Sequence, residues 1–319
     1  MTSSNPKLPS NAVWFVTGTS SGIGYSLISS VLATPGHRIV LLSRNPSTIN
    51  LPPTSNDSNT LLQPVDLASS ASIANAFKAT LGKFGRVDVV VNNAGYSLLG
   101  EFESINEEKS RELFDINYWA PVEITRHAMG IMRDVNPKTG PIGGVIAQIS
   151  SAGGYQAPPG LSPYTASKFA LEGFTESVSR EVDPDWKIRF AIIEPGSVKT
   201  KWSSSNMDTG FKQHKAYVGK NLRTDMMKGM KENIESKIAA DPDVVAEVLA
   251  AVLRGEKGSW DGKEVLRLPL GADSWALVMA DTLDQRKMFD QWRDISESTS
   301  TAEVKETLVS FGFIKNVDV

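Results

Sequence analysis

Apolar residues along this chain come in short unbroken runs, separated by longer stretches of helical period. Ala12–Thr17 (AVWFVT) is an apolar run ending at a glycine-rich turn, which predicts a buried strand. Ile23, Leu27, Ile28, Val31 and Leu32 then recur on one helical face, and Pro35-Gly36 ends that helix. Arg38–Leu42 predicts a second strand, and Asn45–Asn59, rich in Pro, Ser, Asn and Thr, a surface loop. Leu61–Val65 reads as a third strand, Ala68–Phe84 as a helix and Val87–Val91 as a fourth strand. A long helical stretch covers about Asn106–Arg133, a loop Pro137–Gly144, and a fifth strand Val145–Ser150.

The next helix runs from Pro163 to about Val182, with Ser162 expected as its N-cap and Pro163 at the first helical position. Its Ala166, Ala170, Phe174, Val178 and Val182 form a stripe expected to pack on the sheet. Phe169 and Leu171 fall off that stripe, so the helix is apolar on more than one side. Ile188–Ile193 is a sixth strand. Asp241-Pro242 opens a helix through Leu253, and Glu264–Leu268 is a candidate seventh strand. Strands apolar on both faces, alternating with helices, predict an α/β fold. Its core is a single doubly wound, Rossmann-type parallel sheet with helices on both faces. The expected domain spans 1–295, with 296–319 as a C-terminal tail. Ser197–Lys237 fits the alternation least: it is polar but studded with Trp202, Met207, Phe211, Tyr217, Met226, Met227 and Met230.

Composition narrows the chemistry. The 319 residues are 40% hydrophobic and 22% charged, ordinary for a globular chain. The net charge of −3 gives no electrostatic reason to expect nucleic acid or an anionic membrane. No cysteine is present, which removes disulfides, thiolate nucleophiles and cysteine-held metal clusters. His37, His127 and His214 lack the pairing of a metal site, so no metal is expected. The sequence shows neither a secretory h-region nor an apolar run of membrane-spanning length, and no C-terminal lipidation or targeting address. The expected compartment is therefore the cytosol.

The candidate chemistry gathers at strand ends. Thr17-Gly18-Thr19-Ser20-Ser21-Gly22-Ile23-Gly24 joins the first strand to its helix, where glycines and unpaired helical N–H groups can hold a diphosphate. The spacing Gly18, Gly22, Gly24 does not match G-x-G-x-x-G, so the turn alone is a weak signal. Asn92-Asn93-Ala94-Gly95 closes the fourth strand, Ser150-Ser151 the fifth, and Pro195-Gly196-Ser197-Val198-Lys199-Thr200 the sixth. Ligands of open α/β sheets bind beyond those carboxyl ends. Tyr164 and Lys168, four apart, share a helix face. A nearby ammonium would lower the tyrosine pKa from about 10 and suit the pair to proton transfer.

In combination these residues resemble a classical short-chain dehydrogenase/reductase over about residues 12–270. The resemblance is carried by TGTSSGIG, Asp66-Leu67, NNAG, Asn117, Ser151, Tyr164-x-x-x-Lys168 and PGSVKT in the family's order. Within that family NNAGYSLLGEFE, SPYTASKFALEGFTESVSREV and EPGSVKTKW most resemble the 17β-hydroxysteroid and retinol dehydrogenase-like branch with its fungal oxidoreductases. The resemblance implies that Tyr164 is the general acid or base, that Lys168 tunes it and binds the nicotinamide ribose, and that Ser151 hydrogen-bonds the carbonyl oxygen. It implies that Asn117 holds a water linking Lys168 to solvent. Ser150 is the alternative serine, and the spacing to Tyr164 favours Ser151. By the same resemblance Gly18, Ser20, Ser21, Ile23, Gly24, Asp66, Leu67, Asn93, Ala94, Gly95, Pro195, Gly196, Val198 and Thr200 line the cofactor.

The second strand ends in Ser43-Arg44 with no carboxylate, which favours NADP(H), because Arg44 can pair with a 2′-phosphate. The Met-rich stretch, at about 197–237, stands where the family places a mobile substrate lid. Leu98, Leu99, Tyr155, Trp202 and Met207 are the expected pocket wall. The expected function is NADP(H)-dependent interconversion of a ketone and a secondary alcohol, or an aldehyde and a primary alcohol, on a bulky lipophilic molecule. The alternatives are a redox-neutral isomerase or cyclase and a non-catalytic NADP(H)-binding sensor. The resemblance also implies a homodimer or homotetramer through the Tyr164 helix and its neighbour.

Overall fold

The structure, a computed structural model, describes residues 8–201, 206–219, 222–235, 238–256 and 265–301, with 304 and 307. In chain order the strands are β1 (Val13–Thr17), β2 (Arg38–Ser43), β3 (Thr60–Pro64), β4 (Val89–Asn92), β5 (Ser97–Leu98), β6 (Gly144–Ile149), β7 (Ile188–Pro195), β8 (Met207–Asp208) and β9 (Val265–Leu270). Seven of them form one parallel sheet in the order β3-β2-β1-β4-β6-β7-β9. The order reverses between β1 and β4, and the crevice over that reversal is where such sheets take their ligands. The short β5 and β8 pair with each other, Ser97 opposite Met207, outside the main sheet.

Each strand serves two cores, as its period of two requires. Trp14 and Val16 pack with the helices α1 (Gly22–Leu32) and α7 (Pro242–Leu253). Val13 and Phe15 pack on the other face with α2 (Ser70–Phe84) and α4 (Ala120–Gly130). The expected cap at Asp241 is present, its side chain accepting the N–H of Asp243 at 2.9 Å. Among the described residues no helix is long and apolar enough to cross a membrane.

One expectation needs refining and two need correction. The helical stretch expected near Asn106–Arg133 is present, but it is divided into α3 (Glu107–Phe114), a π-helical turn Asp115–Trp119, α4 and a second π turn Ile131–Val135. Such turns are rare and give no hydrophobic signature of their own. Helix α5 (Ser162–Glu181) starts with Ser162 inside it and Leu161 at the cap, and no side chain caps it. The face of α5 turned inward is also not the expected stripe. Tyr164, Ser167, Lys168, Leu171, Glu172, Thr175 and Ser179 are buried, whereas Ala166 and Phe169 are exposed and Ala170, Phe174 and Val178 half-buried. Polar side chains win the inner face because each finds a partner there. Thr175 Oγ1 donates to the Leu171 carbonyl at 2.6 Å and Ser167 Oγ to that of Tyr164 at 2.6 Å.

The chain divides into two compact units, Met1–Trp275 and Ala276–Val319, earlier than the tail expected at Ser296. One helix, α8 (Ala272–Glu297), carries that boundary. Within the stretch expected at 197–237, the described residues include β8 and α6 (Leu222–Glu235).

Candidate active site

The glycine-rich turn leaves β1 through Gly18 and Gly22, both at positive φ (70° and 58°), a backbone that residues with a Cβ rarely adopt. A Cβ at Gly18 would stand 2.9 Å from the Cα of Ala94. Thr17 and Asn93 lock this turn to the end of β4. Thr17 Oγ1 accepts the N–H groups of Asn93 and Ala94, both at 3.0 Å. Asn93 Nδ2 donates to the carbonyls of Thr17 (2.9 Å) and Gly18 (3.2 Å).

The N-terminus of α1 points into the crevice with its donors open. Ser21 stands at the cap without bonding the helix, and the first turn holds no acidic residue. The turn therefore offers unpaired N–H groups and the positive end of the helix dipole to an anion. Ile23 and Gly24 are buried behind it and Ser20 is exposed. At the end of β2, the hydroxyl of buried Ser43 has no hydrogen-bond partner among the described residues. The next residue, Arg44, is exposed and has no ion-pair partner among the described residues. An orphaned hydroxyl, an unpaired guanidinium and an uncapped helix along one edge fit a phosphorylated dinucleotide. Asp66 lies exposed beyond β3, its Oδ1 accepting the Ala68 N–H at 3.0 Å, and Leu67 packs on the core.

The loop after β7 closes the other side. Thr200 lies against Gly22, where an added Cβ would come within 3.0 Å of its methyl group. Val198 bridges to Ala240. Asp273, at the start of α8, accepts the Ser197 N–H at 2.6 Å and fills the space beside Gly196, and Pro195 is buried. No sequence signal marks Asp273, because the contact joins residues 76 apart.

Tyr164, Ser151, Lys168 and Asn117 come together between these two edges. Tyr164 is hydrogen-bonded to Ser151, whose Oγ also accepts the Gly153 N–H at 3.0 Å. Ser150, the alternative, turns the other way: its Oγ donates to Glu172 Oε1 at 2.5 Å. Lys168 Nζ donates to the Ile149 carbonyl at 2.8 Å and lies 5.7 Å from the Tyr164 ring centre. Asn117 is placed by the π turn. Its Oδ1 accepts the Tyr96 N–H at 3.1 Å, and its Nδ2 donates to the Tyr96 carbonyl (3.0 Å) and to Ser167 Oγ (3.2 Å). Gly95 sits beside both, with a Cβ there 3.1 Å from Asn117 Oδ1 and 3.8 Å from Lys168 Nζ. Ser167, inside the YTASK motif, bridges Asn117 to the α5 backbone and was not singled out by the sequence.

The electrostatics correct one expectation. Tyr164 is not lowered by its lysine: burial pushes its hydroxyl up to about 12, and the Ser151 hydrogen bond opposes this only in part. Burial also pulls Lys168 down to about 8, while the Glu172 carboxylate works to raise it. At neutral pH the pair is thus a neutral phenol beside an ammonium, the arrangement of a proton donor.

Tyr164 is buried in an apolar cluster with Leu98, Leu99, Ile105, Leu113, Leu161 and Met207, and Phe211 and Met226 pack on it. Of the expected pocket wall, Leu98, Leu99 and Met207 are therefore beside the tyrosine. Tyr155 stands apart, with the Arg267 guanidinium 5.6 Å over its ring, and Trp202 lies outside the described residues. The segment after β8 is latched to the loop after β5: Gln213 Nε2 donates to Glu101 Oε1 at 2.9 Å, and the His214 N–H to Ser104 Oγ at 3.0 Å. An open groove of about 430 Å³, lined by Phe102, Pro158, Thr165 and Phe169 among others, touches none of the four central residues. No group of metal-holding side chains occurs among the described residues.

Residues 12–209 match the family model described as short chain dehydrogenase. The chain is 39% identical to oxidoreductase calM of Penicillium decumbens, over 86% of this chain and 88% of that protein. It is 37% identical to an uncharacterized oxidoreductase of Schizosaccharomyces pombe, over 90% of this chain and 91% of the relative. Among solved structures, a short-chain dehydrogenase from Streptomyces avermitilis superposes with a TM-score of 0.76 at 26% identity, covering 92% of this chain and 100% of that one.

Proposed function

The chain belongs to the short-chain dehydrogenase/reductase family of oxidoreductases, and we propose that it is an NADP(H)-dependent enzyme interconverting a ketone and a secondary alcohol, or an aldehyde and a primary alcohol, on a bulky lipophilic molecule. The observation that carries this reading is the buried Tyr164 phenol, bonded to Ser151 and set in an apolar cluster of Leu98, Leu99, Leu161 and Met207. A substrate held there meets one proton donor in apolar surroundings, which suits an uncharged carbonyl compound.

In this reading NADP(H), when bound, supplies or takes up the hydride at the substrate carbon. In reduction the carbonyl oxygen takes the proton of the Tyr164 hydroxyl, and in oxidation the phenolate takes the proton of the alcohol. Ser151 Oγ donates to the oxygen and stabilises its developing charge. Lys168 binds the nicotinamide ribose and stabilises the phenolate by its charge. Asn117 fixes the Tyr96 backbone and holds a water that leads from Lys168 to solvent. Gly18, Ser20, Ser21, Ile23 and Gly24 cradle the diphosphate. Ser43 and Arg44 take the 2′-phosphate, Asp66 and Leu67 the adenine. Asn93, Ala94, Gly95, Pro195, Gly196, Val198 and Thr200 line the nicotinamide half. The substrate lid is assigned to about 197–237.

The exposed outer face of α5 supports a homodimer. Phe169 is 46% exposed there, and Trp119 in the neighbouring π turn is 56% exposed. A second copy packed on these helices would cover both.

Tyr164→Phe should lower kcat for ketone reduction by about 10²–10⁴-fold with NADPH binding retained, and an unchanged kcat would remove the proposed role. The wild-type reduction rate should be flat through neutral pH and fall above about 8, because Lys168 loses its proton there while Tyr164 keeps its own to about 12. A rate still rising above that pH would contradict the assignment. Arg44→Ala should weaken NADPH by about 1–3 kcal/mol in a fluorescence titration and leave NADH nearly unchanged, whereas equal losses would show that Arg44 does not meet the 2′-phosphate. Light scattering at micromolar concentration should give at least twice the chain mass of 34.6 kDa, and the chain mass itself would exclude the dimer.

A further inference from the structure

Behind Ser151 and Lys168, on the side away from the apolar cluster, lies a buried set of charges that the reaction above does not use. Glu172 follows Lys168 by one helical turn of α5 and is 4% exposed. Its Oε1 accepts the Ser150 hydroxyl at 2.5 Å, and its Oε2 meets Arg267 Nη1 at 2.5 Å. Arg267 reaches across from β9 and also binds Glu176 of α5 at 2.7 Å and Glu194 of β7 at 3.3 Å. Three carboxylates therefore surround one guanidinium, with the Tyr155 ring stacked against it. Gly154 closes the nook: a Cβ there would overlap the Glu172 carboxylate.

We propose that Glu172 is a positioning residue of this site, tethering the serine-bearing turn through Ser150 and holding Lys168 in its charged form. The inference rests on the Tyr164–Lys168 reading above and adds to it the reason the lysine stays charged while buried.

The geometry supports both parts. Ser150 and Ser151 are consecutive, so fixing the Ser150 hydroxyl against α5 fixes where Ser151 emerges beside Tyr164. Lys168 has a neutral carbonyl as its hydrogen-bond acceptor, and among the described residues the charged group acting on it is Glu172, which raises its pKa against burial. The groups that face Glu172 are Lys168, Arg267, Glu194 and Tyr155, with Glu176 behind Arg267. Burial raises the Glu172 pKa, and the Ser150 hydrogen bond, the Arg267 ion pair and the charge of Lys168 oppose that rise. The excess of carboxylate falls on Glu194, which burial pushes up to about 7 and whose Oε2 meets no donor among the described residues. The set thus holds the Glu172 carboxyl in place one helical turn from Lys168, with Glu194 on the same guanidinium.

The test reads Lys168 directly in the full chain. Lysine labelled with ¹³C at Cε is titrated by NMR, the Lys168 signal being assigned by its loss in Lys168→Arg. The wild-type midpoint should lie near 8. In Glu172→Gln it should move acidward by about half a unit or more, since the charge is gone and the hydrogen-bonding shape remains. A midpoint equal to wild type would overturn the electrostatic part. Ser150→Ala keeps the charge and breaks the tether, so its midpoint should stay while kcat for ketone reduction falls about tenfold or more. An unchanged kcat there would overturn the tether, whatever the folding of Glu172→Gln. Tyr164→Phe, assayed alongside, separates the two levels: an active Tyr164→Phe defeats the underlying reading, and an inactive one with an unmoved Glu172→Gln midpoint defeats this inference alone.

Discussion

Keeping an ammonium charged out of water is the constraint around which this site is arranged. Lys168 is 5% exposed, and a buried lone cation carries a desolvation penalty of several kcal/mol. The chain offsets it with the Ile149 carbonyl at the end of β6 and the Glu172 carboxylate one turn along α5. Both require α5 to turn its polar side toward the sheet. From that follow the inward Ser167, Thr175 and Ser179, the Arg267 brace from β9, and the outward Phe169. The apolar Phe169 ring is left on the outer face of α5.

The two ends of the crevice are held by different means. On the β1–β4 side the lock is local to the strand ends, with Thr17 and Asn93 exchanging four hydrogen bonds with backbone around Gly18. On the β7 side it is long-range, with Asp273 of α8 anchoring Ser197 and with Ser274 Oγ donating to the Glu194 carbonyl at 2.6 Å. The first arrangement keeps a rigid cradle for an anion. The second ties the loop that would cover a bound nicotinamide to a helix start whose position depends on β9.

What the sequence makes legible follows from how each feature is encoded. Buried parallel strands are near-continuous apolar runs, so the main sheet can be read almost strand for strand, with ends displaced by a residue or two. Helices facing the sheet with apolar side chains, such as α1 and α7, are equally plain. Helix α5 misleads because its inner polar side chains find partners in the helix's own carbonyls, at the end of β6 and on Arg267 of β9, which hydrophobic spacing does not record. The π turn that carries Asn117 leaves no periodic trace. The choice between Ser150 and Ser151 rests on spacing in the sequence and becomes geometric once Ser150 is seen on Glu172 and Ser151 on Tyr164. The tyrosine pKa, expected to fall beside the lysine, is raised because burial acts on the phenol more strongly than the Ser151 hydrogen bond that opposes it.

In the proposed reaction this site moves a hydride and a proton together onto one carbonyl. Product analysis with NADPH deuterated at the transferable position of the nicotinamide tests it most directly, with an apolar ketone as acceptor. The account predicts one deuterium per molecule on the carbinol carbon, with one NADPH consumed for each alcohol formed. A product formed without label and without net loss of NADPH would contradict it, and would point to a redox-neutral rearrangement on the same fold.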